Sequence, residues 1–260
     1  MGVPKIAIDY GPVQLAGVAR EEWEARVLLA ACYRVFAHLG WTELIYNHIT
    51  LRVPGPERHL LINPFGLHYS EITASNLVKI DLDGNILSDS RWPINPAGLA
   101  PHATVHRHID QAHCVMHTHT TAGLAVACSK GGLSMTNFYS AQLYGKVAYH
   151  DFEGITVNPD EGPRMLEAMG GKPILVLRNH GLLAWGETLP QALAHLWTVQ
   201  RACEIQVAAS ALGELIAIPT AVLKQATTKS LQFDPKYGAG VDVFSALIRL
   251  IDRTDQSYKS

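Results

Sequence analysis

Residues 114–119, Cys-Val-Met-His-Thr-His, set two histidines at the end of an apolar run. Side chains alternate between faces along an extended chain, so residues two apart share a face. His117 and His119 therefore leave this stretch on one side. A third histidine, His180, stands in Asn179-His180-Gly181, just after the apolar run 173–178. Two buried strands whose ends meet would bring three neutral imidazoles to one point with one side open. That layout belongs to a catalytic divalent-metal site, because structural sites close every coordination position. The competing reading of a His-x-His pair is two core histidines hydrogen-bonded within the fold.

The chain around these residues is that of one large globular domain: 260 residues, 48% hydrophobic and 17% charged. The formal net charge of −2 and the absence of a basic run argue against a nucleic-acid partner. No apolar stretch approaches the length of a membrane span. Residues 1–6 lack signal-peptide architecture, and Ile6 stands where N-myristoylation wants Ser or Thr after Gly2. Cys32, Cys114, Cys128 and Cys203 are scattered through apolar segments and read as reduced core residues of a cytoplasmic protein.

Periodicity divides the chain as follows. Residues 1–19 form an arm. Residues 20–39 form a helix with Trp23, Val27, Leu28, Cys32 and Val35 on one face and Gly40 as its stop. Strands are expected at 48–53, 59–63, 78–83, 114–119, 147–150, 174–178 and 182–185. Pro64-Phe65-Gly66 is a turn, and Asp83-Gly84-Asn85 signals a hairpin into Ile86 and Leu87. Helices are expected at 101–109, 120–128, 161–169, 190–212 and 241–251. Strands and helices interleave, yet hairpins are present, which fits an α/β chain with a mixed sheet covered by helices on both faces.

Three segments carry a resemblance to a known family: Val115-Met116-His117-Thr118-His119-Thr120, Leu177-Arg178-Asn179-His180-Gly181, and Ile62-Asn63-Pro64-Phe65-Gly66-Leu67. Over roughly residues 20–213 the sequence resembles the class II aldolase/adducin family. Residues 145–154, 95–98 and 202–207 resemble its adducin-like branch. The resemblance implies a three-layer α/β/α fold with a mixed, largely antiparallel central sheet. It also implies a divalent metal held by His117, His119 and His180, with zinc favoured over manganese, cobalt or iron. A homotetramer with active sites at subunit interfaces is implied too, with residues 214–260 a helical tail packing on a neighbouring subunit.

The sequence departs from the family at the reaction centre. Family aldolases carry a proton-transferring Glu nineteen residues before the first metal histidine, and here that position is Gly98. The two serines that help hold substrate phosphate correspond to Pro96 and Ala97, and a Thr-Gly phosphate pair becomes Phe65-Gly66. The metal triad survives while the base and the phosphate cradle do not, so a phosphorylated ketose is disfavoured. Asn47 and Gly66 remain candidates to cradle an anionic substrate group, against plain turn-forming roles. Arg178 is a candidate for bidentate pairing with a substrate carboxylate, against an interface ion pair. His150, beside Asp151, or Tyr149 would supply a proton, against a strand-end turn and aromatic packing. His102 and His106, four apart on a helix, read as a polar face near the site entrance rather than a second metal pair. Glu204 reads as one side of a structural salt bridge.

The expected activity is therefore a divalent-metal carbon–carbon lyase of aldolase or decarboxylase type, acting on a small non-phosphorylated oxo- or hydroxy-acid through a metal-stabilised enolate. Two alternatives stand beside it. The same three-histidine face could hold Fe(II) as a non-haem oxygenase, although no 2-His-1-carboxylate set is visible. Eukaryotic adducins use this fold as a non-catalytic cytoskeletal scaffold, but they carry a long Lys-rich tail. Epimerases also need a base on carbon, so Gly98 counts against them.

Overall fold

The structure, a computed structural model, describes residues 5–155 and 160–260. Residues 1–4, the start of the expected arm and the place of the Gly2 reading, lie outside the described residues.

The first helix, α1 (Arg20–Leu39), has acidic Glu21 and Glu22 in its first turn, which suits the positive end of the helix dipole. Gly40 ends it in a left-handed conformation (φ 74°), donating its N–H to Ala37 O. Strands β1 (His48–Arg52), β2 (Leu60–Ile62) and β3 (Val78–Ile80) follow. Then come α2 (Pro96–His108), β4 (Cys114–Thr118), α3 (Thr121–Ala127) and the short α4 (Phe138–Gln142). Next are β5 (Val147–His150), α5 (Glu161–Met169), β6 (Ile174–Leu177) and β7 (Gly181–Gly186). The long α6 (Leu189–Ala209), α7 (Thr220–Thr228) and α8 (Val241–Ile251) complete the regular elements.

The seven strands make one sheet in the order β3-β2-β1-β4-β7-β6-β5. Every neighbouring pair is antiparallel except β5 with β6. This is the expected mixed, largely antiparallel sheet. Alternation along the strands sorts the core onto two faces. Cys114 and Met116 of β4, Ile174 and Val176 of β6, and Leu182 and Ala184 of β7 pack with α1, α3, α6 and α8. Val115, Leu175, Leu177 and Leu183 point the other way, toward Val105 of α2 and Met165 and Met169 of α5. Each such side chain, fully buried, is worth about 1.5–3 kcal/mol. The strands can read as unbroken apolar runs because both faces are covered.

The structure revises several sequence-based boundaries. Helix α2 begins at Pro96, not Pro101. Asn95 caps it by accepting from Ala97 N–H, Pro96 takes the first turn, and Pro101 sits inside the helix. Beyond β3 the hairpin shortens to a single bridge, Ile80 to Ile86, because Asp81 Oδ1 captures the N–H groups of Asp83 and Asn85 and turns the chain early. Leu28 is only half-buried, and Cys128 is exposed rather than a core residue. Helices α4 and α7 were not foreseen. Of the tail, Tyr258 is fully buried, Tyr258 O and Ser260 O accept from Ala74 N–H and Ser75 N–H, and α8 packs on α1 and α6.

Candidate metal centre

Strand β4 delivers His117, and His119 follows its last residue, two positions on and on the same face. His180 arrives from the turn between β6 and β7. Asn179 takes the left-handed conformation there (φ 58°), which Asn tolerates better than most residues. Gly181 comes next, and a side chain on it would overlap Thr118 O. The turn can close against β4 only because that residue is glycine.

The three Nε2 atoms converge: His117 to His119 2.8 Å, His119 to His180 3.0 Å and His117 to His180 3.3 Å. His117 is buried and the other two are half-buried. His117 Nδ1–H donates to Leu182 O at 2.9 Å, so its Nε2 carries a lone pair. His119 is held through its backbone, whose N–H donates to Asn47 Oδ1 at 2.8 Å. Burial, then the neighbouring imidazoles, keeps His117 well below the usual histidine pKa; burial alone lowers that of His119. His180 is lowered to about 4, by burial and then His119. All three are neutral near pH 7, the form that ligates metals.

The donor set fits a divalent cation. A proton on His119 or His180 can satisfy one of these short contacts but leaves lone pairs facing each other elsewhere. A cation satisfies all three at once. Tetrahedral metal–imidazole bonds of about 2.0–2.1 Å hold their donors roughly 3.3 Å apart, close to the spacing found. Among the described residues this is the one group of at least three His, Cys, Asp or Glu side chains placed to hold a metal.

The trio sits in a cavity of about 540 Å³, also lined by Tyr46, His48, Phe65, Gly98 and Phe152. Among the described residues that line it, none is Lys or Arg. The other expected site residues are placed elsewhere or are otherwise engaged. Asn47 is 1% exposed and spends both side-chain polar atoms on protein, accepting from His119 N–H and donating to Trp41 O. Gly66 (φ 113°) lies in the turn beside the Trp92 ring. His150 is buried on the α5 side, with its Nε2 3.2 Å from Glu161 Oε1. The Tyr149 hydroxyl accepts from Leu133 N–H. The Arg178 guanidinium stacks over the Tyr149 ring at 4.8 Å and lies 3.4 Å from Asp151. None of His150, Tyr149 and Arg178 lines the cavity. Glu204 pairs with Arg201 at 2.7 Å, as expected of a structural bridge.

His102 and His106 overturn their reading as a polar face near the entrance. Both are fully buried, facing β1, because α2 packs this side on the sheet. There they join Thr50 and His48 in a chain of contacts of 2.7–2.8 Å. Sequence reasoning missed His48 and Thr50. Their signal was present in the alternation of His-Ile-Thr-Leu, which puts two polar groups on one face of a buried strand.

The model of the class II aldolase and adducin N-terminal domain matches residues 27–207. A Pseudomonas aeruginosa protein, named only provisionally as an aldolase class 2 protein, is 43% identical over 94% of this chain and 95% of its own. Alpha-adducin of Rattus norvegicus is 39% identical over 90% of this chain, which spans only 34% of the adducin. A crystal structure of an aldolase II superfamily protein from Pseudomonas syringae superposes with a TM-score of 0.88 at 41% identity, covering 94% of this chain and 98% of that one. The L-fuculose 1-phosphate aldolase of Glaciozyma antarctica gives 0.81 at 25% identity, covering 96% and 98%.

Proposed function

Because the chain belongs to the class II aldolase and adducin family, we propose that it is a divalent-metal carbon–carbon lyase for a small, non-phosphorylated oxo- or hydroxy-acid. The observation that carries this reading is the convergence of three neutral imidazole Nε2 atoms on one wall of an open cavity. His117, His119 and His180 would hold the cation, with zinc favoured. When bound, it would stabilise negative charge developing on a carbonyl oxygen.

The chain's own residues do the rest. Leu182 O fixes which nitrogen of His117 faces the cavity, and Asn47 fixes the backbone of His119. Phe65, Leu124 and Phe152 give the cavity apolar walls that limit water around a small acid. A phosphate needs fixed cations or a nest of backbone N–H groups. The described lining residues include no Lys or Arg, which favours a substrate whose only strong anionic anchor is its carboxylate. Tyr46, Phe152 and Ile155 stand on the rim with 51%, 52% and 81% of their surface exposed, a surface that suits closure by a neighbouring copy in a homotetramer.

The test is metal content by mass spectrometry on protein carrying no affinity tag, alongside a screen of oxo- and hydroxy-acids for cleavage. Near-stoichiometric zinc, manganese or cobalt should be lost in His119→Ala. Turnover should fall by more than the roughly 10–100-fold typical of losing a ligand's supporting hydrogen bond. Unchanged metal and turnover in that variant would overturn the proposal. Bound iron with oxygen uptake would favour an Fe(II) oxygenase on the same trio. The 39% identity to alpha-adducin makes a non-catalytic binding role the reading to adopt if no metal binds even after reconstitution.

A further inference from the structure

His48 and Thr50 lie two apart on β1, on the face that meets α2. Behind them runs a hydrogen-bond chain whose direction is set at its far end. His106 Nδ1 is 2.8 Å from Ala112 O, and a carbonyl only accepts, so the ring nitrogen donates. His106 Nε2 then accepts the one hydrogen of the Thr50 hydroxyl, 2.8 Å away. Thr50 Oγ1 must therefore accept from His102 Nδ1 at 2.7 Å. That leaves His102 Nε2 as acceptor, and His48 Nδ1 donates to it at 2.8 Å. Burial, first, holds His48, His102 and His106 neutral, with added repulsion from neighbouring rings at His48 and His102 and from Arg52 at His106, as this sequence of single donors requires. His48 is thus fixed as the Nδ1–H tautomer.

Its Nε2 lone pair faces the cavity. His48 lines that cavity, and its Nε2 makes no hydrogen bond among the described residues. Gly98 stands against it: a Cβ at residue 98 would lie 2.7 Å from Nε2 and 2.6 Å from Cδ2. Only a residue without a side chain leaves this nitrogen open. No His48 nitrogen belongs to the group of donor atoms that lie within 4.8 Å of one another at the trio. The His48 and His117 ring centroids are 5.0 Å apart, so a small acid held at the trio reaches His48 with its next few atoms.

We propose that His48 is a specificity-determining residue whose Nε2 accepts a hydrogen bond from a substrate hydroxyl, selecting hydroxylated oxo-acids over plain oxo-acids. This inference rests on the proposed lyase reading and narrows its substrate class. A neutral imidazole with a fixed tautomer is an acceptor only. It discriminates because a substrate lacking the hydroxyl strips Nε2 of water and returns nothing.

The test uses two acids reduced at the oxo carbon so that neither can be cleaved, α,γ-dihydroxyvalerate and α-hydroxyvalerate. Binding to zinc-loaded protein is measured by calorimetry. The dihydroxy acid should bind roughly tenfold tighter. The preference should vanish in Gly98→Ala, which covers Nε2, and shrink in Thr50→Val, which releases the tautomer. Nitrogen-15 NMR of the histidine rings should show His48 protonated at Nδ1 in wild type, a readout that survives if either variant folds poorly. Equal affinities in zinc-bound wild type, or a proton on His48 Nε2, would overturn the proposal while leaving the lyase reading standing. Loss of zinc in His48→Phe would also overturn it, by making His48 a ligand. Failure of wild type to take up zinc would remove both.

Discussion

Asn47 shows how one buried side chain can brace a candidate metal ligand without being a ligand itself. Its Nδ2 donates to Trp41 O at 3.0 Å, its Oδ1 accepts from His119 N–H at 2.8 Å, and its backbone carbonyl accepts from the Tyr69 hydroxyl. It therefore ties the segment after α1 to the end of β4. Replacing Asn47 with Ala leaves buried partners unpaired, which costs about 1–3 kcal/mol. We expect a lower unfolding midpoint in urea for the metal-free protein, and weaker zinc binding by competition with a chromogenic chelator. A variant with full zinc affinity would show that the Asn47 contact does not position His119. From sequence, Asn47 reads as a cradle for substrate, because a polar residue near a motif gives no sign of whether water, ligand or backbone will claim its hydrogen bonds.

The elements that carry the trio were legible because their physics is local. Alternation gives the common face of His117 and His119, and Asn-His-Gly after an apolar run gives a tight turn into β7. The start of α2 was not legible in the same way. Pro96 and Pro101 both satisfy the rule for a first-turn proline, and only Asn95 accepting from Ala97 N–H decides between them. The inward histidines of α2 were missed because charge-bearing residues are normally placed outside, and their partners lie 52 to 56 positions away in sequence on β1. The β6–β7 turn supplies a test of the local part. Asn179 at φ 58° should tolerate Gly, while Val there should cost roughly 1–2 kcal/mol. Because His180 is the next residue, Asn179→Val should also weaken zinc binding, whereas Asn179→Gly should keep it. Equal zinc affinity in both would mean that the turn's conformation does not set the position of His180.

At the scale of the whole molecule, several buried polar groups among the described residues are imidazoles, and burial makes five of them a shared acid liability. His48, His102, His106, His117 and His195 are each at most 5% exposed, and all have lowered pKa values. His195 allows the cleanest test because it does not line the cavity and its contacts are with Trp185 and Phe233 rather than with the trio. Its Nδ1–H donates to Trp185 O at 2.9 Å and its ring lies against Phe233 at 4.9 Å. Burial lowers it to about 4, partly offset by the bond to Trp185 O. An unfolded histidine titrates near 6.5. As pH falls below that value the unfolded chain takes up a proton that the folded chain refuses until about pH 4, so stability is fully present above 6.5 and is lost as pH drops toward 4. Between those limits one such histidine contributes up to about 1.4 kcal/mol per pH unit, or roughly 3 kcal/mol in all. Urea unfolding of the metal-free protein at several values between pH 7.5 and 4.5 should show this slope for each buried neutral histidine. In His195→Gln the slope should fall by about 1.4 kcal/mol per pH unit, even though the variant is less stable at pH 7.5. An unchanged slope would mean that His195 is already protonated in the fold, and that its bond to Trp185 O is made by a cation.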